Sequence, residues 1–305
     1  MGTDSARMAV AAANLRVDSL TAEVATELRA AGVQTVLLKG PAVARWLYDG
    51  AGERPYVDSG LLIAPGDLRR AERTLRRMDF QPGEWLAWLR RARPWTRADG
   101  TIDLHTSLFG VSVPSPRAWE ILSRTTETMA VGGAEVQVLA QPARALHLAI
   151  HVAQHPLSHG HWQARVDLER AIVRASWPTW QGAGRLAAEL DAEPALATGL
   201  RQVEGGAALA EALGVHTARS AEIALFAADA SPVPLKFAEI AAADSIRLRL
   251  TLILRAIVPP PSLMRAWSPL AARGRGGLAL AYLTRLARIP LKMPAAFSSW
   301  RRARR

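Results

Sequence analysis

The 305-residue chain contains no cysteine, which removes disulfides, thiolate metal sites and a cysteine nucleophile from its chemistry. Lysine is nearly absent. Lys39, Lys236 and Lys292 are the only three among 38 basic residues, so each stands out in a chain whose default cation is arginine. Nor is there a run of about 18 or more uncharged apolar residues; even Ile246 to Val258 carries Arg247, Arg249 and Arg255. A transmembrane segment is therefore not expected. The N-terminus offers only a brief apolar patch, Met8 to Ala13, without a cleavage pattern, and the expected localisation is cytoplasmic.

Acidic residues are missing from the end of the chain. Asp244 is the last, so all 27 carboxylates share residues 1–244 with 25 of the 38 basic groups, for a net of −2. The final 61 residues carry 13 basic groups and no acid. The formal +11 is thus a property of the C-terminal part, and such asymmetry points toward a polyanionic partner or a membrane surface. With 50% hydrophobic residues, the chain has material for a sizeable core in one large or two smaller domains.

Leu20, Val24 and Leu28 predict an amphipathic helix over residues 19–31, ended by Gly32. The aliphatic run Thr35 to Leu38, the turn Lys39-Gly40-Pro41 and a helical pattern from Ala42 to Tyr48 read as strand, tight turn, helix. A second strand is expected around Val57 to Ile63. A helix opens at Pro65-Gly66-Asp67, with Leu68, Ala71, Leu75 and Met78 on one face. Asp99-Gly100 signals a turn before a strand at Thr101 to His105, and Glu135 to Leu139 is a further strand candidate. From Pro142 onward the pattern becomes Ala- and Leu-rich helix punctuated by prolines. The reading is α+β: a small mixed sheet with flanking helices over residues 1–140, then an all-helical domain over residues 141–305 that ends in a basic tail.

Three features share a physical logic. Lys39-Gly40 occupies a strand-to-helix turn, where backbone amides and a flexible cation can face a phosphate. Asp58 follows Arg54 at the start of the second strand. Asp103 lies in the third, with His105 on the same face because strand side chains alternate. Neighbouring strands can bring two carboxylates within reach of one Mg²⁺, which typically takes one or two carboxylates plus substrate phosphates.

In order and spacing these motifs resemble the uncharacterised bacterial nucleotidyltransferases of the DNA polymerase β-like superfamily. The matching residues are Leu37-Leu38-Lys39-Gly40, the segment from Arg54 through Asp58-Ser59-Gly60 to Ile63, and Ile102-Asp103-Leu104-His105. The likeness extends through the His-rich helix to Trp162, Asp167 and Arg255. It implies a polymerase β-like nucleotidyltransferase domain that binds a nucleoside triphosphate with Mg²⁺. Asp58 and Asp103 would act as metal ligands and catalytic residues, and Lys39, Gly40, Arg54 and Ser59 would lie at the nucleotide. It also implies transfer of a nucleotidyl group to a hydroxyl on a small-molecule, peptide or protein acceptor. One departure weighs against catalysis: the family pattern has a second Asp where this chain has Gly60, and losing a metal ligand costs transition-state stabilisation. The alternative is therefore an inactive nucleotidyltransferase-like binding or accessory protein. Asp49 and Glu53 lie in the preceding loop, from which a carboxylate could swing in to substitute.

His147, His151 and His155 recur every fourth residue on one helix face, with His159 and His161 nearby. Two such histidines with a third ligand can hold zinc, but the resembled family carries histidines in this helix without a structural zinc, which implies packing or cleft lining, with His105, His151 and His155 as the candidates to line an acceptor cleft. Arg69, Arg70, Arg73, Arg76 and Arg77 form the polar face of one helix. Trp85, Trp88 and Trp95 among Arg90, Arg91, Arg93 and Arg97 mix stacking groups with cations, as single-stranded nucleic-acid sites do, although core anchoring by tryptophan explains them as well. A nucleic-acid-binding protein using this stretch and the basic tail is the third reading. The C-terminal pattern from Leu278 to Ile289 predicts an amphipathic helix, leaving residues 300–305 as a free basic tail.

Overall fold

The computed structural model describes residues 3–83, 92–155, 162–217 and 246–303, together with 237, 240 and 241. The chain separates into two compact units, residues 1–154 with 160–217 and residues 155–159 with 218–305.

Seven strands of the first unit are β1 (Thr35–Leu37), β2 (Asp58–Ile63), β3 (Gln81–Pro82), β4 (Ala92–Arg97), β5 (Gly100–His105), β6 (Thr126–Val131) and β7 (Ala134–Leu139). They form one mixed sheet in the order β3-β4-β5-β2-β1-β7-β6. β1 runs antiparallel to β2 and parallel to β7, and β2 runs parallel to β5. The hairpin β6–β7 closes through Gly132 and Gly133, both at positive φ, as a two-residue turn between strongly twisted strands requires. Helices α1 (Thr3–Ala30) and α3 (Leu68–Arg77) cover one face of the sheet. The core there joins Leu20, Val24 and Leu28 of α1 to Leu37, Leu61, Ile63, Leu75, Phe80, Trp95, Ile102, Leu104 and Val138.

Helix α1 begins sixteen residues before the expected start. Its first half exposes Met8 and Leu15, so no buried stripe marks it, and alanine-rich propensity rather than periodicity makes it helical. Strand β4 was also not read from the sequence. Its Arg, Pro and Thr residues carry no period-two apolar pattern, and only Ala92 and Trp95, three residues apart, are buried.

Helix α2 (Pro41–Leu47) follows β1, and α4 (Ser115–Arg124) precedes β6. Beyond β7, α5 (Gln141–Ala153) is buried along almost its whole length. It packs against α6 (Trp162–Arg174), α7 (Trp177–Glu189) and α8 (Glu193–Leu200). The α5–α8 approach is close enough that a Cβ on Gly199 would lie 1.9 Å from the Ala149 carbonyl oxygen. Helix α9 (Gly206–Ala212) completes the described part of this unit.

The second unit contains α10 (Ile246–Ile257), α11 (Pro261–Trp267) and α12 (Arg275–Ala303). A small core of Met264, Ala271 and Ala281 is backed by Leu270, Leu278 and Tyr282. Tyr282 donates to the Pro259 carbonyl (2.5 Å) and Arg285 to that of Ala256 (2.7 Å). Residues 300–303 of the expected free tail instead form the end of α12, where the Trp300 ring lies 5.5 Å from Phe297 and 6.2 Å from Phe237, and residues 304 and 305 lie outside the described residues. Among the described residues no helix is long and apolar enough to cross a membrane.

Candidate nucleotide site

Alternation along β2 divides its residues. Ser59, Leu61 and Ile63 face the α1–α3 core, so Asp58, Gly60 and Leu62 face the other side. In the parallel pairing, Gly60 stands opposite Asp103 and Leu62 opposite His105. Asp58, Gly60, Asp103 and His105 therefore share one sheet face. Lys39 reaches the same place from the turn after β1. That turn depends on Gly40, whose φ of 69° suits glycine, and a Cβ there would press on the Asp58 carbonyl oxygen at 3.3 Å. The Leu38 amide donates to the Gly60 carbonyl at 2.9 Å, tying the turn to β2.

The Lys39 ammonium lies between the two carboxylates, 2.9 Å from Asp58 Oδ2 and 3.8 Å from Asp103 Oδ2. Asp58 and Asp103 also touch through their side chains. Burial pushes the Asp58 carboxyl up, but the charge and hydrogen bond of Lys39 outweigh it and hold the group below the usual carboxylate range. His105 is lowered as well, which for an imidazole favours the neutral form: burial, then the charges of Lys39 and His147, depress it to about 3. Neither of its ring nitrogens has a hydrogen-bond partner among the described residues. His147, on α5, is depressed to about 4, chiefly by burial and then by Lys39. Both imidazoles are neutral at physiological pH, and neither is a base matched to it.

Gly60 fixes what this site can hold. A Cβ at that position would sit 3.3 Å from His105 Nε2 and 3.4 Å from Lys39 Cε, so the space of the missing side chain is shared by a lysine and an imidazole. Among the described residues no group of three or more His, Asp or Glu side chains is placed to hold a metal ion. The donor chemistry fits one divalent cation, because two carboxylates already share one cation, the Lys39 ammonium, and Mg²⁺ accepts one or two carboxylates plus substrate phosphates. Among the described residues no third carboxylate joins these two to hold a second cation.

The structure places other expected site residues elsewhere. Arg54 is only 8% exposed and bonds both oxygens of Asp167 on α6, at 2.9 Å and 3.0 Å from Nε and 2.6 Å from Nη2. It touches the turn only through the Gly40 carbonyl at 3.4 Å. Ser59 is fully buried on the opposite sheet face, its hydroxyl bonded to that of Thr21. Asp49 is held by Arg174 at 2.8 Å. His147 and His151 stack with ring centroids 6.1 Å apart. His155 belongs to the second unit, and His159 and His161 lie outside the described residues. Of the tryptophan–arginine stretch, Trp95 is buried beneath Arg76 (5.1 Å), Arg93 pairs with Glu72, and Arg97 with Glu23 and Asp99. Trp85, Trp88, Arg90 and Arg91 lie outside the described residues.

Sequence reasoning did not find Tyr48 and Gln163, which complete the Asp167 site at 2.7 Å and 3.0 Å. Nor did it find Arg144, 2% exposed, which bonds the Leu139 carbonyl at 2.7 Å and pairs with Glu127. These partners are distant along the chain, and no local pattern marks them. Two open concavities, of about 550 Å³ beside α1 and about 470 Å³ beside Arg70, Arg73, Arg76 and Arg77, include neither Asp58 nor Asp103.

A mixed sheet with two aspartates on adjacent parallel strands and a Lys-Gly turn before a helix defines a nucleotidyltransferase-type domain. Residues 3–204 match the sequence profile of the uncharacterised nucleotidyltransferase family, and the chain belongs to that family. Among solved structures, the chain is similar to the antibiotic-resistance factor ANT(2'')-Ia, with 13% identity and a TM-score of 0.39 over 56% of this chain and 91% of that one. It is also similar to an antigenic nucleotidyltransferase-like protein from Paracoccidioides brasiliensis, with 15% identity and a TM-score of 0.36 over 63% of this chain and 94% of that one. No curated protein matches the chain.

Proposed function

We propose that this family member binds a nucleoside triphosphate together with a single Mg²⁺, and that it does not carry out nucleotidyl transfer. Asp58 and Asp103 hold the cation, Lys39 contacts the phosphates, and the Gly40 turn brings backbone close to them. When bound, the cation neutralises phosphate charge. Arg54 serves the site indirectly, by anchoring the turn to α6 through Asp167.

One observation carries the negative half of this reading: the position of the second aspartate is glycine, and Lys39 and His105 occupy its surroundings. The protonation states agree with it. Transfer requires an acceptor hydroxyl to lose its proton as its oxygen attacks the α-phosphorus and pyrophosphate departs. Asp58 is engaged by the Lys39 ammonium and His105 is depressed to about 3, so neither stands ready in this arrangement to take that proton.

The test is calorimetric titration of Mg-ATP and Mg-CTP into the wild type, Asp58→Ala and Asp103→Ala. Binding by the wild type that both variants lose is expected. Absent binding, or equal binding by all three, overturns the site assignment. Pyrophosphate released at a rate typical of an enzyme overturns the claim of inactivity.

A further inference from the structure

We infer that Lys39 is a built-in competitor for the cation position, so that the carboxylate pair takes up a divalent cation only when Lys39 moves onto a phosphate. The inference rests on the nucleotide-binding reading for its second half only. Its basis is geometric. The Lys39 ammonium stands 2.9 Å and 3.8 Å from the two carboxylate oxygens, the place between them where a shared cation has to sit. Its Cε lies 3.4 Å from where a Gly60 side chain would begin. A third carboxylate at residue 60 would restrict that path, and glycine leaves it open.

Lys39 is suited to exchange. It is a point charge on a flexible stem, held by no rigid bidentate fork as an arginine would be, and it is one of three lysines in an arginine-rich chain. With Lys39 in place, Asp58 is already satisfied by a charge-assisted hydrogen bond, and an incoming cation must break that bond. With a polyphosphate present, the ammonium has a new anion to pair with. Cation and nucleotide then bind with positive coupling, each raising the affinity of the other by the same factor.

The test uses the full chain and Mn²⁺ as the probe, followed by electron paramagnetic resonance of the free ion. Lys39→Met keeps the stem and removes the charge. It is expected to bind Mn²⁺ alone at least about tenfold more tightly than the wild type, roughly the effect of losing one competing interaction of 1.4 kcal/mol. Lys39→Arg is expected to stay as weak as the wild type. In the wild type ATP tightens Mn²⁺ binding by more than ATP's own chelation accounts for; in Lys39→Met this excess disappears.

Unchanged or weaker Mn²⁺ binding by a folded Lys39→Met, judged by circular dichroism, overturns the inference. A lysine with a purely structural role would lower stability without strengthening Mn²⁺. If Lys39→Met gains Mn²⁺ affinity while no nucleotide binds to any form, the competition stands and the nucleotide reading fails.

Discussion

Gly60→Asp is the most informative perturbation, because it restores a carboxylate to a site arranged without it. The three charged groups now present, Asp58, Asp103 and Lys39, sum to −1. Gly60 is the direct cross-strand neighbour of Asp103, so the new Cβ would stand about 5 Å from that of Asp103. Two like charges at that distance repel by about 3 kcal/mol at an effective dielectric constant of about 20. The Cβ contacts of 3.3 Å and 3.4 Å add a smaller cost, since the lysine stem can move and the buried His105 can move less. In the presence of chelator the variant should therefore lose about 2–3 kcal/mol, or about 5–10 °C in Tm for a unit of this size. A divalent cation should reverse the sign: at about 100 times its Kd it stabilises the folded state by about 2.7 kcal/mol, and the third carboxylate improves that Kd. The assay is thermal unfolding of wild type and variant, each with EDTA and with Mg²⁺. Equal stability in EDTA, or a Mg²⁺ shift no larger than that of the wild type, refutes the charge and packing account of Gly60.

Three further outcomes follow. His105 and His147, held near 3 and 4 against about 6.5 when unfolded, take up protons first in the unfolded state, so their stability is complete above about pH 6.5 and lost as pH falls toward 4. Each costs about 2 kcal/mol at pH 5, and urea unfolding of His105→Gln/His147→Leu should show a smaller acid loss than the wild type; an equal loss contradicts it. Asp167→Ala leaves the Arg54 guanidinium buried without its carboxylate and should cost about 3–5 kcal/mol, whereas Arg54→Met/Asp167→Leu should recover most of it by the same measurement. Gly199→Ala places a methyl 1.9 Å from the Ala149 carbonyl oxygen and should destabilise by about 3 kcal/mol or more, while Gly66→Ala, whose Cβ meets nothing within 4 Å, should be near neutral.

The strand-turn-helix at residues 35–47 and the shared face of Asp103 and His105 were legible because they depend on local rules: period-two alternation, a Gly-Pro turn and a short aliphatic run. What could not be read was set by partners distant in the chain. Arg54 was expected at the nucleotide because it stands where the resembled family's motif has its Arg before Asp58. Its partner in the structure, Asp167, lies 113 residues away, and the pair is buried. Ser59 next to Asp58 could be assigned to the opposite face by parity alone, and its bond to Thr21 agrees. Gly60 was visible as a missing ligand, but which groups fill its space depends on the β2–β5 register and on the path of Lys39.

That filling bears on how the formal charge of the chain should be understood. A total of +11 suggests a protein that attracts any polyanion. Yet the 13 basic groups after Asp244 all belong to the second unit, and the groups that meet at the nucleotide site sum to −1 with both imidazoles neutral. A polyphosphate approaching this site alone faces net repulsion from the carboxylates that Lys39 only half neutralises. Adding a divalent cation while Lys39 turns to the phosphate changes the sum to +1 without any other residue moving. On the proposed reading, selectivity for a cation-loaded nucleotide over a free one would rest on three side chains and one glycine. It would be lost equally by deleting the carboxylates, which removes the cation, or by deleting the lysine charge, which removes the coupling.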